Sequence, residues 1–356
     1  MREARPWREA WEAAVYGPGG FWTRSAPAAH FRTSVHVSDL YAGAIAELLG
    51  RVDTALGHPD RLDLVDVGAG GGELLAGVEA HLDSGVRRRL RTIAVEVGPL
   101  PALRDVRLLP PVTGLLVANE WLDDVPLDVV EVAEDGPRLV LVDADGTESL
   151  GPPPDPADRT WLDRWWALGA PDPTRLGGSG GPGGLGGVGE RGEVGRSRDR
   201  AWAAAVGRIA RGVALAVDYG HEATGRPRHG TLTGYRDGLQ VPPVPDGSCN
   251  LTAHVALDSA AAAGRTAGAG DTRLDDQRTA LLALGVDPRR PPVNLARTDP
   301  AAYVEALRTA AEAGELTDRA GLGAFGWLVQ GVGIKVPFPP IASRARVRRA
   351  PAPPPP

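Results

Sequence analysis

Two apolar rhythms run along the chain. Leu62, Leu64, Val65 and Val67 make a short, nearly continuous apolar run, the pattern of a strand buried on both faces of a parallel sheet. Residues 91–97 (RTIAVEV), 114–118 (GLLVA), 213–217 (VALAV) and 325–336 (FGWLVQGVGIKV) predict further strands, and 106–109 predicts another. Between them the spacing becomes helical. Trp7, Trp11 and Val15 share a face, and Leu40, Tyr41, Ala44, Ile45, Leu48, Leu49 and Val52 fall on one stripe that Ser34 or Ser38 can cap. Glu73, Leu74, Leu75 and Val78 begin a helix reaching about His81, and 201–209, 279–284 and 302–313 also read as helices.

Between the strands at 114–118 and 213–217 the pattern changes. Residues 129–132 and 138–142 flank Asp135-Gly136 and predict a β-hairpin. A proline linker follows at 152–156, then an amphipathic turn or two at 161–168. Residues 177–195 are glycine-rich and hold too little apolar surface to offset their ordering entropy, which predicts disorder or a loose loop. Short extended segments are expected at 231–235 and 251–255, and a disordered, proline-rich tail closes the sequence. The expected organisation is an N-terminal helical and loop cap (1–56), a core (57–128 and 201–340), an insertion with hairpin and glycine-rich loop (129–200) and the tail (341–356).

The 356 residues are 42% hydrophobic, enough for a normal globular core. The net charge of −6 gives no broad nucleic-acid-binding surface. The single cysteine, Cys249, permits neither an internal disulfide nor a cysteine-built zinc site, and His30 and His36 lack the spacing of a helical metal pair, so no metal is expected. The charged N-terminus predicts no secretory signal, and no apolar run approaches membrane-spanning length. Cytoplasmic placement is the expectation. Lys335 is the sole lysine, so the arginine richness reads as coding bias rather than function.

The chemistry enters at residues 68–72. Gly68, Gly70 and Gly72 follow the first strand and precede a helix, the arrangement by which α/β folds bring backbone against a nucleotide-like ligand. A dinucleotide fingerprint needs G-x-G-x-x-G, and its third glycine would stand at Glu73. No Walker lysine follows either. The G-x-G-x-G spacing resembles the first motif of class I S-adenosylmethionine (SAM) methyltransferases; a plain strand–turn–helix junction is the competing reading. Glu96, at the end of the next strand, can accept hydrogen bonds from both ribose hydroxyls. Polar tips follow two later strands, Asn119-Glu120-Trp121-Leu122-Asp123-Asp124 and Asp218-Tyr219-Gly220, at the strand ends where open α/β sheets bind ligands.

Taken in order, these pieces resemble the MidA-like methyltransferases, relatives of a mitochondrial complex I assembly factor that dimethylates a protein arginine. The family's G-D-F-x-T-S-P-E stretch aligns with residues 29–36 (AHFRTSVH), its N-E-x-x-D-A-[Leu/Phe]-P with 119–126, its D-Y-G with 218–220, its G-T-L with 230–232 and its D-L-T-A-H-V with 250–255. His30, His36 and Asn250 depart from it. The resemblance implies an α/β, Rossmann-like class I fold, with a mostly parallel seven-stranded sheet, its last strand antiparallel, and an inserted substrate-side region. It implies SAM as cofactor, bound by Gly68, Gly70, Gly72 and Glu96, with Phe31, Thr33 and Ser34 closing over it. It also implies a protein substrate, arginine first. Asn119 would bridge donor and acceptor. Glu120 and Asp123 would hold a charged guanidinium if a helix starting after Asn119 sets them at i and i+3; capping of that helix is the alternative role. Asp218, Tyr219 and His254 are further acceptor-side candidates. A SAM-binding assembly factor without strong catalysis and a small-molecule methyltransferase remain alternative functions, and the oligomeric state is left open.

Overall fold

The computed structural model describes residues 4–24, 34–97, 102–166, 168 and 187–338. In chain order its main elements are α1 (Trp7–Tyr16), α2 (Ser34–Val37), α3 (Asp39–Leu56), β1 (Leu62–Val67), α4 (Glu73–His81), β2 (Leu90–Val95), β3 (Val112–Asn119), β4 (Asp128–Ala133), β5 (Gly136–Val142), α5 (Pro156–Trp165), β6 (Arg191–Val194), α6 (Arg196–Val206), β7 (Ile209–Asp218), β8 (Thr233–Arg236), β9 (Leu239–Val241), β10 (Asn250–Thr252), α7 (Leu257–Thr266), β11 (Asp271–Asp276), α8 (Gln277–Ala283), α9 (Pro300–Leu316) and β12 (Gly326–Val332).

The central sheet has the order β11–β12–β7–β3–β1–β2. β1 pairs in parallel with β2 and β3, and β3 with β7. β12 runs antiparallel to both its neighbours. Strand alternation divides the core cleanly. Leu62 and Leu64 face the side covered by α3, while Val65 and Val67 face the side covered by α6 and α7. Ser38 caps α3 by accepting from the Leu40 amide, and Gly57 ends it at φ 79°, a left-handed angle that favours glycine.

Three sequence expectations differ from the structure. The sheet has six strands among the described residues, not seven. Residues 106–108 form a 3-10 turn, because Asp105 accepts from the Arg107 amide and Pro110-Pro111 follow. Among the described residues, a single parallel bridge, Val95 to Leu103, remains at that edge. The low-complexity stretch at 177–195 also ends earlier than read: Arg191–Val194 is a strand paired with β4. The other residues of that stretch up to 186, like those of the tail from 339 onward, lie outside the described residues.

The predicted hairpin is present as β4 and β5 in a second sheet, against which α1 packs through Trp7 and Trp11. A third, small sheet has the order β9–β8–β10. A cleft lies between the glycine loop and the third sheet, with α1 also lining it. No helix among the described residues is long and apolar enough to cross a membrane.

Candidate active site

The cleft encloses about 930 Å³ and has two chemically distinct ends. At one end are Gly68, Gly70 and Glu96 with apolar Val95, Val97 and Val106. The loop takes left-handed φ angles at Gly68 (76°), Gly70 (56°) and Gly72 (88°), which only glycine adopts without strain. The Gly70 N–H donates to Glu96 Oε2 at 2.8 Å, so the carboxylate already faces the loop. A Cβ on Gly68 would stand 3.2 Å from the Trp121 ring. Gly72 caps α4 instead of lining the cleft.

The other end is acidic and aromatic. Asn119, Glu120, Asp123 and Asp124 line it with Tyr16 and Tyr219. The expected helix after Asn119 is absent: residues 120–125 form an irregular turn, and Glu120 is left-handed at φ 50°. The i, i+3 argument for Glu120 and Asp123 therefore fails, yet both side chains reach the same cleft by the turn's own geometry. The turn is fixed by Asp218, which is fully buried and accepts the amides of Leu122 (2.9 Å) and Asp123 (3.2 Å). Such buried backbone donors need acceptors once water is excluded.

Each polar wall residue has identifiable partners. Asn119 Oδ1 accepts from Tyr41 Oη at 2.5 Å, and its Nδ2 donates to Glu120 Oε1 at 3.2 Å. Ser34 is buried behind the wall; its N–H donates to the same Oε1 at 3.2 Å. Asp123 Oδ2 accepts from Thr252 Oγ1, and Asp124 Oδ1 from Asn250 Nδ2, both at 2.7 Å. Phe31, Thr33 and His30 lie outside the described residues. His36 lines the cleft with Nε2 3.9 Å from Glu73 Oε1. His254 stacks on Tyr219 with centroids 5.7 Å apart. No cluster of histidine, cysteine and carboxylate side chains suited to a metal occurs among the described residues.

Burial sets the protonation of this end. Glu120 is pushed up to about 8, first by burial and then by the nearby Asp123 charge. Asp124 and Asp218 are raised well above the usual carboxylate range for the same two reasons, and Asp123 is raised by burial. Asp66, at the end of β1 under the loop, rises to about 7 through burial and the Glu96 charge. The sequence reading missed Asp66 and Asp124, although Asp66 stands two residues before Gly68 and Asp124 within the polar tip. It also missed Arg198, for which a polar helix start gave no signal.

A family model described as "Putative S-adenosyl-L-methionine-dependent methyltransferase" matches residues 44–272, more than half of the chain. The chain belongs to this methyltransferase family. SAM is accordingly its methyl donor, and the MidA-like resemblance of its motifs agrees with that membership. A crystal structure of a Burkholderia thailandensis protein bound to S-adenosyl-homocysteine matches the methyltransferase with a TM-score of 0.69 at 22% identity, covering 93% of this chain and 88% of that one. A native structure of an uncharacterized protein of the same superfamily and organism matches with a TM-score of 0.67, at the same identity and coverage. These likenesses show the fold. No curated protein matches the sequence.

The glycine-loop end fits the donor: a backbone surface without side chains, an acceptor carboxylate for hydroxyl donors at Glu96, and valines able to flank a purine.

Proposed function

We propose that this methyltransferase acts on a protein and that an arginine side chain is its acceptor, with Gly68, Gly70 and Glu96 holding SAM and Asn119, Glu120 and Asp123 forming the catalytic wall. The observation that carries the reading is the carboxylate-rich, tyrosine-lined end of the cleft, with Glu120, Asp123 and Asp124 on one wall. A cation is the complementary guest, and a flat guanidinium suits several carboxylates and aromatic faces together. The solved relative with S-adenosyl-homocysteine bound supports donor binding in this fold. A reducing compartment such as the cytoplasm fits the single, buried Cys249.

Bound SAM supplies a methyl on a positively charged sulfur, which becomes a neutral thioether once the acceptor nitrogen takes the methyl. The chain's part is to align that nitrogen and remove its proton. A guanidinium nitrogen has no free lone pair until it sheds a proton; ionised Glu120 accepts it, and the methylated guanidinium keeps its single positive charge. Asn119 Nδ2 and the Ser34 N–H, both on Glu120 Oε1, hold the ionised form and orient it. A SAM-binding assembly factor without catalysis is less favoured, because Asp124 keeps a carboxylate beside Asn250 where the family motif has its aspartate. Mass spectrometry of methylated peptides from cells with and without the gene tests the proposal: a lost mono- or dimethyl-arginine supports it, whereas methyl loss confined to metabolites overturns it.

A further inference from the structure

Arg198, on α6, is 1% exposed, and its guanidinium is aimed at backbone, with no direct carboxylate partner among the described residues. Nε donates to the carbonyl of Val125 at 3.0 Å, and Nη1 to those of Ala253 at 2.7 Å and His254 at 2.9 Å. Nη2 donates to the carbonyl of Asp123. The first and last belong to the turn after β3; the other two belong to the segment after β10. The guanidinium fork thus joins two backbone segments separated by more than a hundred residues: the turn carrying Asp123 and Asp124, and the segment directly after Asn250 and Thr252 of β10. The Trp11 ring of α1 covers it, with Cζ 5.7 Å from the centroid.

Arg198 also brings a positive charge that interacts favourably with Glu193, Asp123, Asp218 and Asp124. Arginine stays protonated when buried, so Arg198 offsets a carboxylate group that otherwise repels itself. Other titratable groups feeling its charge are Tyr16, His221 and His254.

We propose that Arg198 is the positioning residue of the acceptor pocket, clamping the Asp123 turn to the Asn250–His254 segment and serving as the counter-cation of the pocket's carboxylates. It does not touch the reacting atoms. The inference rests on the acceptor end being where the methyl is received, so its test includes readouts independent of turnover.

Full-length R198K and R198M proteins are compared with wild type. SAM affinity by calorimetry is expected to stay within about twofold, since Arg198 bonds the acceptor side. Methyl transfer from tritiated SAM to an extract of cells lacking the gene is expected to lose about tenfold or more in kcat/KM in both variants, because lysine cannot reproduce the fork. Carbon-13 NMR of aspartate carboxyls separates the two roles. In R198M the buried aspartates titrate about one pH unit or more higher, while R198K, which keeps the charge, holds the wild-type midpoints. Amide exchange at residues 122–125 and 252–255 rises about tenfold in R198K and is unchanged at the glycine loop. Unchanged exchange in R198K, or wild-type aspartate midpoints in a folded R198M, overturns the proposal. If wild type transfers no methyl to any acceptor, the functional reading fails, and the exchange and titration results still decide on Arg198.

Discussion

Asn250 Nδ2 lies 2.7 Å from Asp124 Oδ1, and this amide–carboxylate pair joins two cleft-lining segments 126 residues apart in sequence. In the MidA-like motifs these two positions are Asp and Ala. Here the carboxylate stands on the opposite wall and an amide faces it, so the pocket keeps its acid. The amide oxygen, Asn250 Oδ1, is buried without a hydrogen-bond partner among the described residues. Asn250→Asp would set two carboxyls at hydrogen-bond distance, and one must then hold a proton. A carboxyl whose folded pKa is raised contributes stability at low pH that is lost as pH rises through that pKa. The variant is therefore expected to lose about 1–3 kcal/mol relative to wild type at pH 8 and less at pH 5. Urea denaturation at both values measures it; a deficit that does not grow with pH would refute the pairing.

Glu120 carries the sharpest pH prediction. Its carboxyl is raised to about 8 by burial and by Asp123, so between the ordinary glutamate pKa and 8 the folded state binds a proton that the unfolded state has lost. Its contribution to stability falls across that window and levels off above it. Glu120→Gln removes this fall, and the variant is expected to gain on the order of 4 kcal/mol relative to wild type on going from pH 5 to pH 9. Activity runs the other way. If the ionised form accepts the acceptor's proton, transfer rises through about pH 8 in wild type, and Glu120→Gln abolishes that limb while lowering kcat about a hundredfold or more. A retained limb in the glutamine variant would remove Glu120 from the role of base.

On the donor side, Glu96 Oε2 accepts the Gly70 amide, so the side chain is presented to the cleft by the loop it would serve. Glu96→Ala is expected to weaken SAM binding about tenfold to a hundredfold, the scale of one or two charge-assisted hydrogen bonds. Gly68→Ala meets both the left-handed φ of 76° and the Trp121 ring 3.2 Å from the new Cβ, so it should cost about 1–3 kcal/mol in stability as well as SAM affinity. Calorimetric titration with SAM checks both; wild-type affinity in Glu96→Ala rules out the ribose assignment.

The glycine-loop end of the cleft was legible because its signals are local. Apolar runs, a glycine spacing and an acid at a strand end all lie within about 35 residues, and each is tied to a backbone requirement. The edge at 106–109 was misread because an apolar run beside Asp105 and Pro110 suits a 3-10 turn as well as a strand. Strand β11 (DTRLDD) escaped notice because it is a charged edge strand with no apolar period. The acceptor half was legible as residue types and illegible as geometry. Glu120 and Asp123 reach the cleft through a turn held by Asp218 and Arg198, contacts 75 to 96 residues away in sequence that no local pattern encodes. Glu193 is a similar case: it sits inside a stretch that composition marks as low complexity, yet it is buried and accepts from the backbone and hydroxyl of Thr231 and from the Leu232 amide, fixing the G-T-L segment.

Gln277 shows how far such support extends. It is fully buried. Its Nε2 donates to Ser34 Oγ at 3.2 Å and to the Leu316 carbonyl at 3.1 Å, and its Oε1 accepts from Trp327 Nε1 at 3.3 Å. Ser34, so held, donates its backbone N–H to Glu120. Gln277→Leu keeps the volume and leaves the Trp327 N–H, the Leu316 carbonyl and the Ser34 hydroxyl short of a partner, an expected loss of about 2–4 kcal/mol. Because the Ser34 amide favours the ionised carboxylate, loosening α2 should also raise the Glu120 midpoint above its wild-type value of about 8. Urea denaturation reads the first effect and carboxyl NMR of glutamate-labelled protein the second. A destabilised variant with an unmoved Glu120 midpoint would make Gln277 a packing residue with no hand in the site.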